Sequence, residues 1–123
     1  MKKHLRFLGV LFVCMILIFS CSKENEEDLN GGTTCNSTNM TYTANIKPIL
    51  QSFCFGCHGN GLSQNGVNFD TYAGVKAVVD NGKLIGAISH ASGFSPMPKN
   101  ASKLSDCDIN KIQDWISRGA PNN

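Results

Sequence analysis

Apolar residues in this 123-residue chain fall into four blocks, and their spacing differs from block to block. The first, residues 5–19, is almost unbroken. The second places Ile46, Ile49, Leu50 and Phe53 at i, i+3, i+4 and i+7, the repeat of one buried helix face. Asn45 is placed to cap that helix. Pro48 then falls at the third helical position, where the backbone N–H has no intrahelical partner. This helix is expected to run from about Ile46 to the cysteines that follow. The third block predicts a helix over residues 70–79, capped by Asp70, with Tyr72, Val75, Val78 and Val79 inward. A short turn of helix holding Leu84, Ile85 and Ile88 comes next. The last block is the clearest. Ser105-Asp106-Cys107-Asp108 makes a start like a capping box, and Ile109, Ile112, Trp115 and Ile116 follow at helical spacing. Gly119 and Pro121 end it. The Gly/Asn-rich stretch 59–66 reads as a loop, and strand-like alternation is scarce. An all-α domain of three to four helices is expected.

The first block has a different purpose. Lys2, Lys3 and Arg6 lie at its leading edge, and it is shorter than the roughly 20 residues a transmembrane helix needs. Residues 1–20 read as a signal peptide. Ile18-Phe19-Ser20-Cys21 resembles a bacterial lipobox, which implies cleavage before Cys21 and a lipid on Cys21; the alternative is an uncleaved anchor. Both readings tether the chain to a bacterial membrane, at the periplasmic face or the cell surface, in an oxidising space. Loss of residues 1–20 leaves eight Lys and Arg against nine Asp and Glu, so the formal +2 becomes −1. No basic patch survives, and nucleic acid is not an expected partner. Residues 21–40 read as the lipidated Cys and a flexible tether, acidic over 22–28 and Gly/Thr-rich over 30–34. Ser22-Lys23 followed by acids resembles a lipoprotein surface-export signal; a plain spacer is the alternative. The domain then covers residues 41–123.

Cys54-Phe55-Gly56-Cys57-His58 carries the candidate chemistry. Cys-x-x-Cys-His reads as a c-type haem attachment site. Thiols three residues apart lie on one side of a helical turn, where both can form thioethers to one porphyrin, and His58 can ligate its iron. A thiol–disulfide pair would need a βαβ context, and none is visible. A zinc site would need a second Cys/His pair at finger spacing. An ordinary disulfide is the third alternative. A covalent haem would also give the 89 residues from Cys35 onward an apolar centre, which so small a domain needs. For the sixth ligand Met97 is favoured, because Pro96 and Pro98 stiffen its loop. His90 is the alternative, Met40 a weaker one, and a core-filling role for Met97 the plain one. Cys14 lies in the signal, so Cys35 and Cys107 are left as a pair, expected to form a disulfide in an oxidising space, with two free thiols as the alternative.

These residues together resemble the class I mono-haem cytochromes c, and more narrowly the small cytochrome-c-like domains of bacterial lipoproteins and planctomycete-type proteins. The resemblance spans about residues 40–123. It rests on YTANIKPIL at 42–50, CFGCHG, Asn68-Phe69-Asp70-Thr71-Tyr72, Met97-Pro98, Leu104-Ser105-Asp106 and the run from Trp115 to Pro121. It implies a small cytochrome c fold around one covalently bound haem c, held by Cys54 and Cys57, with His58 and Met97 as axial ligands. Trp115 would take the aromatic position of the last helix where it crosses the first. Two departures stand out. Ile46 and Leu50 occupy the places where mitochondrial-type members carry Gly and an aromatic. No Pro lies between His58 and Pro96, so the partner that orients the His58 ring is not evident.

With both axial positions filled, iron would have no open site. The expectation is a monomeric, membrane-anchored electron carrier between redox protein partners, not an enzyme. A haem-based sensor or peroxidase-like protein with a labile distal ligand is the alternative. A haem-free interaction lipoprotein is the third.

Overall fold

Thr41, not Asn45, starts the first helical run. The structure is a computed structural model that describes residues 35–123. The expected signal peptide, lipidated Cys21 and residues 22–34 of the expected tether lie outside the described residues; in the remainder of that tether, 35–40, Cys35 is disulfide-bonded and Met40 is buried. Thr41 Oγ1 accepts from the Ala44 N–H, while Asn45 Oδ1 turns back to accept the Thr41 N–H at 2.9 Å. The first turn, Tyr42–Ile46, is π-helical, and α1 (Lys47–Phe53) continues from it. Starting four residues early puts Pro48 in the second turn. There it cannot donate, and its ring crowds the carbonyl four residues back. A widened turn just ahead of Pro48 relieves that crowding.

The expected single helix is also broken at its far end. Cys54 leaves helical backbone (φ −122°), and α2 (Phe55–His58) is a separate single turn. A 3₁₀ turn (Gln64–Gly66), α3 (Tyr72–Asp80), α4 (Lys83–Ile88) and α5 (Asp106–Ser117) follow. Among the described residues there are therefore five α-helical segments where three to four were expected, the extra one being α2. Among the described residues there is no strand, so the chain is all-α as expected. The cap of α3 is Thr71, whose hydroxyl accepts from the Gly74 N–H; Asp70 is committed elsewhere. The start of α5 is as expected, with Ser105 Oγ accepting from the Asp108 N–H at 3.0 Å.

The π turn packs on α5, α5 on α4, and α4 on α3. Trp115, Ile46, Leu50, Ile88, Ile112 and Val75 are fully buried at this junction. Removing each such aliphatic side chain from water contributes about 1.5–3 kcal/mol. Tyr42 and Trp115 stack at 5.6 Å, and Tyr72 meets Tyr42 edge-on at 5.2 Å. Ile46 and Leu50 thus fill the helix crossing, and the aromatic contact to Trp115 comes from Tyr42, one turn earlier.

The C-terminal residues close this junction. Trp115 Nε1 donates to the Pro121 carbonyl at 2.9 Å, and the Tyr72 hydroxyl donates to the Ala120 carbonyl. Asn123 accepts the N–H groups of Tyr42 and Thr43, which a helix start otherwise leaves unpaired. Asp114 accepts the Met40 N–H at 2.9 Å and pairs with Arg118, which also donates to the Met40 carbonyl. That amide, foremost, and then Arg118 hold the Asp114 carboxyl below the usual carboxylate range. Cys35 and Cys107 are disulfide-bonded with Cα atoms 5.5 Å apart, which ties the start of the described chain to the first turn of α5.

Candidate functional site

Cys54 and Cys57 bracket one turn of chain. The Cys54 carbonyl accepts from the N–H groups of both Cys57 (3.1 Å) and His58 (2.9 Å), so three motif residues share a local hydrogen-bonded unit. Both thiols are free, Cys54 part-buried and Cys57 exposed. Burial pushes the Cys54 thiol up to about 11. Reactive redox cysteines are shifted the other way, so Cys54 does not have the electrostatics of a thiol–disulfide catalyst. Among the described residues no three His, Cys, Asp or Glu side chains form a metal-ligand group, as a zinc site would require.

Residues 67–69 take hold of His58 at two points. The Phe69 N–H donates to the His58 carbonyl, and His58 Nδ1 lies 3.3 Å from the Val67 carbonyl. A carbonyl only accepts, so this contact is a hydrogen bond when Nδ1 carries the proton. The ring lone pair is then on Nε2. A ligating imidazole is ordinarily fixed by such a bond through its other nitrogen. The Val67 carbonyl is the group that faces Nδ1 of the His58 ring, a partner the sequence left without a name. The Phe69 ring lies tilted beside the imidazole at 5.6 Å, and Phe69 itself is buried.

The loop between α2 and α3 is anchored by Asp70. Its carboxylate accepts the N–H groups of Gly61 (2.8 Å) and Asn60 (2.6 Å), and these two amides hold it below the usual carboxylate range, Gly61 foremost. Gly59 has no room for a side chain. A Cβ there would lie 2.5 Å from the Phe55 ring.

Two cavities open beside this turn, of about 320 and 470 Å³. Cys54, His58, Asn65, Ile88, Ser95 and Met97 line both. Cys57 and Phe53 border only the smaller; Val67, Phe69 and Phe94 border only the larger. Both volumes lie in the range of roughly 300–1,000 Å³ that ligand and cofactor sites span. The four residues singled out from the sequence, Cys54, Cys57, His58 and Met97, are thus gathered around one space. Lys99 lines the smaller cavity and Lys83 the larger, and neither is in an ion pair among the described residues.

The other ligand candidates lie elsewhere. Met40 is buried in the core, and its backbone is engaged by Asp114 and Arg118. His90 is exposed and lines neither cavity; its Nε2 lies 3.1 Å from the Met97 carbonyl. The Met97 N–H donates to the Ala87 carbonyl at 3.0 Å. Among the described residues no helix is long and apolar enough to cross a membrane. No family model, curated protein or solved structure matches the chain.

Proposed function

We propose that the chain is a membrane-anchored c-type cytochrome that carries single electrons between redox proteins and does not catalyse a reaction itself. One observation carries this reading: Cys54, Cys57, His58 and Met97, three from one turn and one from a loop 39 residues further on, all border the smaller cavity. A haem held there would supply one-electron iron chemistry.

The chain's own residues have distinct parts in this. Cys54 and Cys57 would hold the group through two thioether bonds. Facing the Val67 carbonyl, His58 Nδ1 would carry the ring proton, and His58 would be free to hold the iron through its other nitrogen. Met97 would supply a thioether sulfur, which favours ferrous iron and raises the potential relative to a second His. Phe69, Ile88 and Leu104 give the cavities buried apolar walls. Lys83 and Lys99 are the cations available to the group's carboxylates. The fold class is all-α; its identity as a small cytochrome c fold is part of this proposal, as are the lipid on Cys21 and the extracytoplasmic site.

The test is covalent attachment. The full chain is expressed with a bacterial c-type haem maturation system, and the purified protein is analysed by denaturing mass measurement and haem staining. One haem per chain is expected in the wild type. Cys54→Ser with Cys57→Ser should abolish attachment. A wild-type protein that stays colourless beside a working control cytochrome overturns the reading.

A further inference from the structure

The segment that carries Met97 is exposed from Ala91 to Pro96. Few interactions fix it. The Ala91 N–H donates to the Gly86 carbonyl, the Phe94 N–H donates to the Ala91 carbonyl, and the Phe94 ring covers Gly86 while 41% exposed. Where this segment returns to the fold, both backbone polar groups of Met97 are engaged. Its N–H donates to Ala87 in α4, and its carbonyl lies 3.1 Å from His90 Nε2. Because that partner is a carbonyl, Nε2 must be the donor.

His90 reaches Met97 from the left-handed turn that ends α4. Its φ is +55°, a left-handed conformation that few non-glycine residues adopt. A left-handed residue just past the cap is a common way to end a helix, and here the His90 N–H donates to the Ala87 carbonyl and the Ala91 N–H to the Gly86 carbonyl. Here the left-handed residue follows the end of α4, and its imidazole lands on a residue seven positions ahead.

We propose that His90 is a positioning residue: it clamps the Met97 carbonyl to the end of α4 and so holds the Met97 thioether at iron, without ligating iron itself. This rests on the cytochrome reading for its consequence, though not for the clamp. It predicts that the distal ligand becomes labile when the donor is removed, even though His90 lines neither cavity.

The experiment uses the full chain, matured with haem, as wild type, His90→Gly, His90→Gln and Met97→Ala. Glycine takes φ near +55° without steric penalty, so His90→Gly removes the donor and keeps the turn. Its helical content and thermal midpoint should stay close to wild type. Exchange of the Met97 amide, followed by NMR, should speed up about fivefold, the factor expected of one net hydrogen bond. CO should combine with the reduced protein about fivefold faster than with wild type, the same one-bond factor, and the weak ferric band of Met–iron ligation should fade. His90→Gln, which keeps an N–H donor, should recover part of both. Unchanged exchange and unchanged CO reactivity in His90→Gly overturn the clamp. Loss of the low-spin spectrum in His90→Gly but not in Met97→Ala makes His90 the ligand, and overturns the clamp as well. If the wild type takes up no haem, the cytochrome reading fails separately, and Met97 amide exchange alone decides the clamp: faster in His90→Gly upholds it, unchanged overturns it.

Discussion

Replacing Cys35 and Cys107 together by Ser removes a cross-link that spans 72 residues. In the chain-entropy relation, a loop of that length restrains the unfolded chain by about 15 cal/mol/K, or about 4.4 kcal/mol at 25 °C. Domains are stable by roughly 0.05–0.15 kcal/mol per residue, which for this size is about 4–13 kcal/mol in all. The staple is therefore worth between a third and nearly all of the margin. The effect should be on stability and not on the site, because neither cysteine lines the cavities. The assay is urea unfolding of the oxidised wild type and the double variant, followed by far-UV circular dichroism and Trp115 fluorescence. The variant should lose about 4 kcal/mol, and its midpoint should fall accordingly. Its m-value should rise slightly, because the unfolded chain exposes more surface without the cross-link. The native absorption spectrum should not change. A loss below about 1 kcal/mol, with the disulfide confirmed in the wild type by mass, would refute the reasoning.

Other consequences are as direct. Trp115→Ala should destabilise by about 3–5 kcal/mol in urea unfolding, since it empties a fully buried site and leaves the Pro121 carbonyl without its donor. Gly59→Ala should cost about 1–3 kcal/mol, because its Cβ meets the Phe55 ring beside His58, and thermal unfolding would reveal it. Asp70 is held below its ordinary value by the Gly61 and Asn60 amides. Its contribution is therefore complete above about pH 4, the unfolded-state range, and is lost as pH falls through the lower folded value. Unfolding measured from pH 6 to pH 2 should fall less steeply for Asp70→Asn than for wild type, and identical slopes would show that these bonds do not matter.

The parts legible in the sequence are those governed by neighbours in the chain. Ser105 and Asp108 share one helix start, and the Ile109–Ile116 repeat marks one face, so α5 could be placed to within a residue. Cysteine arithmetic found the Cys35–Cys107 bond, because disulfide pairing is chemically restricted. The beginning of the first helix was hidden. Its leading amides are satisfied by Asn123, 81 residues away, and no local pattern announces that. Asp70 was read as a cap because Asp and Thr both serve at that position. Only the fold decides that Thr71 caps while Asp70 takes the loop amides. The Val67 carbonyl behind His58 was equally invisible, since every residue has a carbonyl. The role of His90 depends on a left-handed backbone that its residue type permits but does not dictate.

The most direct test of the central claim is the optical spectrum of the haem-loaded chain, oxidised, reduced and reduced under CO, beside Met97→Ala. The account predicts sharp low-spin bands in both redox states and no rapid shift with CO in the wild type. Met97→Ala should lose the weak ferric Met–iron band and bind CO readily. A wild type that is high-spin or takes up CO at once would contradict electron transfer through a closed six-coordinate site, and would move the function to ligand sensing or catalysis.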